Sequence, residues 1–179
     1  YAGEVRHLDR ILGAFLGELP ASATVVFTSD HGESLGERGC WGHGLNLYQE
    51  SLLVPLLIRS AGLEPGTSAR LVDHLDTAPT LLQLMGVEAP SAMTGASLLA
   101  DGPSRPVVST TFGSGPLRWA CRDGDTKAIL HLAGQSDLGA IARSRMVEGS
   151  PLPAGLTFFD LARDPGELAA VDPGAERLA

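Results

Sequence analysis

Thr24-Val25-Val26-Phe27-Thr28-Ser29-Asp30-His31-Gly32 is the stretch on which the reading of the fold turns. The run from Ala23 to Thr28 is short, almost wholly apolar and rich in β-branched residues. It reads as a strand of a parallel sheet, buried on both faces. A carboxylate and an imidazole, Asp30 and His31, follow directly, then a glycine. In open α/β sheets ligands collect beyond the carboxyl ends of strands, so this junction is the first place to look for chemistry. Gly32 is expected to supply the backbone freedom for a sharp turn from strand to loop.

Upstream, Val5, Leu8, Ile11, Leu12, Phe15, Leu16 and Leu19 recur at helical spacing, and Pro20 stops the helix predicted over 3–18. Downstream, the glycine-punctuated residues 32–44 read as a loop and 45–51 as a helical turn or two. Leu53 to Ile58 reads as a second buried strand. Asp76 is expected to cap a helix reaching Met85, with Gly86 ending it. A short helix is expected around Ala96–Leu99. Val107–Thr111, the hairpin Leu117–Cys121/Thr126–His131 and Leu156–Phe159 read as strands, with an irregular excursion over 133–155. The fold class is therefore α/β. Residues 1–102 are expected to form part of a mainly parallel sheet flanked by helices. Residues 103–179 are expected to form a smaller antiparallel element, the boundary falling where Gly102-Pro103 and Pro106 cluster.

Composition narrows the partners. The net charge of −8 over 179 residues offers no surplus of cations to displace counterions, which argues against nucleic acid. No run of eighteen apolar residues occurs, so no membrane-spanning segment is expected. Tyr1 opens straight into a helical pattern, with no basic segment followed by an apolar one. The chain reads as cut from something longer, which leaves a cytoplasmic and a periplasmic or secreted location equally open. Apolar surface left by such a cut is expected to drive self-association. Cys40 and Cys121 match no zinc spacing and read as independent thiols.

Asp30 and His31 can both reach one cation, but two ligands make only half a site. Asp30 could instead cap the following turn. His43 lies between Gly42 and Gly44, where it could hold an anionic oxygen or protonate a leaving group, or simply be a solvated loop histidine. His74 and His131 lie in apolar-periodic segments and read as structural, and His7 as surface. Glu33, Glu37 and Arg38 could line the same pocket, but charges on a glycine-rich loop read first as solvated.

An ordered series of landmarks resembles the sulfatase family of the alkaline phosphatase superfamily. They are Tyr1-Ala2-Gly3-Glu4-Val5, Ser29-Asp30-His31-Gly32, Leu47-Tyr48-Gln49-Glu50-Ser51, Val54-Pro55-Leu56-Leu57-Ile58-Arg59, Val72-Asp73-His74-Leu75-Asp76, Gly95-Ala96-Ser97-Leu98-Leu99, and Phe159-Asp160-Leu161 with Asp164-Pro165-Gly166-Glu167. The resemblance implies that Asp30 and His31 are ligands of one divalent metal, calcium first and manganese or zinc as alternatives. It implies that His43 contacts the ester oxygens and the leaving group. It also implies a formylglycine nucleophile made within a Cys/Ser-Xaa-Pro-Xaa-Arg signature. Cys40 is followed by Trp-Gly-His and Cys121 by Arg-Asp-Gly, so the expectation is that the signature lies outside this chain. The implied function is the C-terminal portion of a metal-dependent sulfatase-like hydrolase, inactive alone, acting on a sulfate or phosphate ester of a small molecule or glycan. The alternatives are a phosphodiesterase or phosphoryl transferase of the same superfamily, and a non-catalytic binding module.

Overall fold

A computed structural model describes residues 1–100, 102–111, 117–131 and 155–172. The chain divides into two compact units, residues 1–28 with 55–67, and residues 29–54 with 68–179.

In the first unit, helix α1 (Ala2–Glu18) carries the periodic apolar stripe and ends at Leu19, whose extended backbone accommodates Pro20. None of its residues is buried, and Val5, Leu8, Ile11 and Phe15 are each about half exposed. Strand β1 (Val25–Thr28) pairs with β4 (Leu56–Arg59), Val25 opposite Arg59 and Thr28 opposite Leu56. Thr24 and Ser60 hydroxyls close the end of the pair at 2.7 Å. The pairing is antiparallel, which corrects the parallel neighbourhood expected of both strands. A continuous apolar run is the usual mark of a parallel strand buried on both faces, and this run departs from it. Here all four residues of β1 are only half buried, and in β4 Leu56 and Ile58 face inward while Leu57 and Arg59 are exposed.

The second unit begins with a small hairpin where a plain loop was expected. Strand β2 (Ser34–Leu35) pairs with β3 (Trp41–Gly42) across a 3-10 turn at Glu37–Gly39, in which Arg38 takes φ 50°. Helix α2 (Gln49–Leu52) follows. Helix α3 (Thr77–Leu84) follows a 3-10 turn at His74–Asp76, and Gly86 beyond it takes φ 70°, the left-handed stop read from the sequence. Asp76 stands at the N-cap position of α3, as expected, but its side chain makes no capping bond to that helix. Asp73 caps the 3-10 turn through the Leu75 N–H, and Asp76 reciprocates to the Asp73 N–H in a capping box. Asp76 is buried and also accepts from the Ala96 N–H and the Arg105 guanidinium, both at 2.8 Å. Burial acts to raise its carboxyl, but Arg105 and the Ala96 and Asp73 amides outweigh that and hold it below the ordinary range. Residues 96–99 form no helix. They lie as a strap whose Leu98 N–H donates to Thr80 Oγ1 at 2.9 Å.

Strands β5 (Val107–Thr110), β6 (Arg118–Asp123), β7 (Thr126–His131) and β8 (Gly155–Asp160) form one antiparallel sheet in sequence order. The predicted hairpin turns at Gly124, φ 56°, with Asp123 opposite Thr126. The excursion expected over 133–155 falls, apart from Gly155, outside the described residues. The core joins the start of this unit to its sheet: Leu47 and Tyr48 pack with Ala120, Ile129, Phe159 and Leu161, and Tyr48 meets Phe159 edge-on at 5.9 Å. Charges are buried beside it. Lys127 Nζ lies 2.6 Å from Glu167 Oε1, both side chains almost wholly buried. Glu167 Oε2 accepts from the Gln49 N–H at the start of α2, also at 2.6 Å. His131, read as structural, is buried with Nδ1 accepting from Arg118 Nε at 3.1 Å. Burial and the neighbouring guanidinium push its pKa down to about 4.

Candidate metal and leaving-group site

The site residues lie on the segment from Ser29 to Gly44, all within the second unit. The segment is held from outside. His74 Nε2 donates to the Ser29 carbonyl at 2.8 Å, giving that histidine the structural role expected of it. The Ser29 hydroxyl donates to the His31 carbonyl, and the Gly32 N–H to the Ser51 carbonyl at 2.9 Å. Gly32 has no positive φ, so freedom to turn does not explain the glycine. Closeness does: a Cβ there would stand 2.1 Å from the Glu50 carbonyl oxygen. Asn46, buried between Ser34 and Ser51, ties the far side of the hairpin to α2.

Asp30 and His31 meet as expected. Asp30 Oδ2 lies 3.5 Å from His31 Nε2, and Asp30 Oδ1 accepts the His31 N–H at 3.0 Å. That backbone bond is the first cause holding the Asp30 carboxyl below its ordinary value. His31 Nδ1 is 2.8 Å from the Gly32 carbonyl. A carbonyl only accepts, so Nδ1 donates there, and Nε2, on the Asp30 side, is the nitrogen that a cation would take in the neutral ring. Metal-bound histidines are commonly fixed in this way. Donor atoms bound to one cation at about 2.0–2.6 Å stand roughly 3–4 Å apart, so the Asp30–His31 spacing fits a shared divalent ion.

His43 joins them. Its ring lies 4.0 Å from that of His31, centroid to centroid, tilted by 32°. The flanking Gly42 and Gly44 take φ 86° and 80°, so here the glycines do supply left-handed backbone. Glu33 Oε2 holds His43 Nδ1 at 3.2 Å. Glu33, read from the sequence as a solvated loop charge, belongs beside it; the spacing His31-Gly32-Glu33 carries the signal, since residues i and i+2 of extended chain share a face. Arg38 and Glu37 are not merely solvated. Arg38 pairs with Glu50 at 2.6 Å, stacks over the Tyr48 ring and donates to the carbonyls of Gly166 and Glu167, while Glu37 accepts from the Leu35 N–H. Cys40 is buried and Cys121 exposed, and both are free thiols, as read.

One expectation about the nucleophile needs correcting. The pattern Ser-Xaa-Pro-Xaa-Arg does occur, spelled by Ser114-Gly115-Pro116-Leu117-Arg118. Residues 112–116 fall outside the described residues. Arg118 is fixed at the start of β6, buried against His131.

The sulfatase family profile matches residues 1–87, so the Ser114 pattern stands outside the matched part. Arylsulfatase K of Xenopus laevis is 32% identical over 174 residues, covering 91% of this chain and 31% of that protein. The N-acetylglucosamine-6-O-sulfatase of Bacteroides thetaiotaomicron is 36% identical over 127 residues, 66% of this chain and 21% of that protein. A structure solved in complex with its substrate D-glucosamine-2-N,6-O-disulfate aligns over 96% of this chain and 34% of its own, with TM-score 0.63 and 25% identity. The chain thus spans 21–34% of the length of these relatives and shares their α/β fold. No helix among the described residues is long and apolar enough to cross a membrane. With its landmarks, its fold and its relatives in agreement, the chain belongs to the sulfatase family of the alkaline phosphatase superfamily.

Proposed function

We propose that this chain supplies part of the metal site and the leaving-group side of a sulfate-ester hydrolase, with the nucleophile and the remaining metal ligands contributed from beyond these 179 residues. The observation that carries this is the convergence of Asp30, His31 and His43 on one short segment, Asp30 and His31 sharing a 3.5 Å gap and His43 stacked on His31. Asp30 and His31 Nε2 would hold a divalent cation, calcium by family resemblance. When bound, such a cation supplies Lewis-acid stabilisation of the ester oxygens. His43, positioned through Nδ1 by Glu33, acts through Nε2 on the oxygen that departs, holding or protonating it. The substrate is a sulfate ester on a small molecule or a glycan, a class suggested by the sulfated sugar in the related structure.

The test uses the purified 179-residue protein with an aryl sulfate and an aryl phosphate, each with and without calcium or manganese. The expected result is no turnover and weak calcium binding that Asp30→Asn removes. Robust aryl-sulfate turnover that Ser114→Ala abolishes would place the nucleophile within this chain and overturn that part of the account. Faster turnover of the aryl phosphate would favour phosphoester chemistry instead.

A further inference from the structure

We infer that His31, Glu33 and His43 form a site for a borderline transition-metal cation of the zinc class, with all three protein ligands supplied by this chain. The inference goes beyond the proposed function and shares with it His31 and His43, placed in a different donor set. One donor atom from each of the three residues lies within 4.8 Å of the other two. The arrangement is built by the hairpin. Ser34 pairs with Gly42, so the next opposed positions along the two strands are Glu33 and His43, and their side chains already meet at 3.2 Å. His31 is brought over His43 by the short Gly32 link, whose N–H is bonded to Ser51.

Tetrahedral zinc, with bonds of about 2.0–2.2 Å, places its donor atoms roughly 3.3–3.6 Å apart. Closing the present spacing therefore takes side-chain movement of about an ångström. These side chains have room for it, being 41%, 32% and 46% exposed at His31, Glu33 and His43. Two imidazoles and one carboxylate suit zinc. Calcium asks for about 6–8 oxygens and would find one carboxylate here. Three protein ligands also leave a fourth position for water or an anion. A zinc ion in this set takes the imidazole that the proposed function assigns to the departing oxygen. Zinc occupancy and that role of His43 therefore exclude each other.

Calorimetric titration of the 179-residue chain with zinc chloride, and separately with calcium chloride, tests the site. One zinc per chain is expected. Glu33→Gln and His43→Gln should each weaken zinc binding about tenfold or more, whereas Asp30→Asn should change it by less than about threefold. Calcium should respond in the opposite sense, lost with Asp30→Asn and kept with Glu33→Gln. In the parent chain, imidazole NMR signals of His31 and His43 should move together on adding zinc, while those of His7, His74 and His131 stay. Unchanged zinc affinity in Glu33→Gln, or zinc moving only one of the two rings, overturns the inference. Loss of the calcium response with the zinc response intact sinks the Asp30–His31 reading and leaves this one standing.

Discussion

Gly32→Ala tests how the site is held, because two explanations of that glycine make different predictions. Had freedom to turn been the reason, alanine would cost about 1 kcal/mol and leave the neighbours in place. The structure gives a steric reason instead. An added Cβ would stand 2.1 Å from the Glu50 carbonyl oxygen and 2.9 Å from its carbon, whereas ordinary contact begins at 3.4 Å. The site segment and α2 must part by more than about an ångström. Overpacking of this kind costs about 1–3 kcal/mol, and the parting also breaks the Gly32–Ser51 hydrogen bond, worth about 1 kcal/mol more. A total of about 2–4 kcal/mol is expected, read as a lowered urea midpoint at unchanged slope. Gly44→Ala is the control. Gly44 has φ 80° with nothing within 4 Å of a new Cβ, so it meets conformational strain alone, at about 1 kcal/mol. Equal losses in the two variants would refute the steric account. So would a Gly32→Ala protein whose His31 and His43 imidazole signals match those of the parent.

Glu167→Gln leaves the Lys127 ammonium buried without its counter-charge and should cost about 3–5 kcal/mol in the same urea assay, while a Lys127→Met/Glu167→Leu double change should recover much of that loss. Arg105→Ala removes the cation that outweighs the burial of Asp76 and should cost about 1.5–3 kcal/mol at neutral pH. The Asp76 carboxyl is depressed in the folded state, so its contribution is present above the unfolded pKa and lost as pH falls through the folded one. Arg105→Ala should shrink that acid loss. His131 runs on a different window. Its folded pKa of about 4 lies below the ordinary 6.5, so the unfolded chain takes up the proton first. Stability should fall by about 3 kcal/mol between pH 6.5 and 4, and His131→Phe should flatten that slope. The half-exposed stripe of α1 should make the protein self-associate in sedimentation, and Phe15→Glu should reduce it, whereas a monodisperse parent would count against that role.

The elements that were legible in the sequence are those whose signal is local. The α1 stripe, Pro20, the stop at Gly86 and the Gly124 hairpin follow from periodicity and turn chemistry within a few residues. The pairing of β1 with β4 was not legible: the continuous apolar run points to a parallel strand, and the antiparallel partner lies about thirty residues away. Asp76 stands at the N-cap position of α3 as read, but the side-chain cap belongs to Asp73 and the 3-10 turn before it. Asp76 looks like a cap in sequence, and only Arg105 and Ala96, distant along the chain, give it a different occupation. At the site, Asp30, His31 and His43 were visible as chemistry-bearing types beside glycines. Glu33 was discounted because a loop carboxylate is usually solvated. What distinguishes it is the β2–β3 register, a property of pairing that no single-strand pattern records.

That register also bears on why the closing Asp-Pro-Gly-Glu segment belongs to the site's support. Arg38, in the turn between β2 and β3, donates to the Gly166 and Glu167 carbonyls and pairs with Glu50. The carbonyl of the same Glu50 is the atom against which Gly32 is packed. Glu167 in turn anchors the first N–H of α2 and buries the Lys127 charge. Each of these charges would be costly to bury alone, and each is satisfied by a group from another part of this unit. The turn of the hairpin and the start of α2 thus share their anchor at 166–167, contributed by residues more than a hundred positions away in sequence.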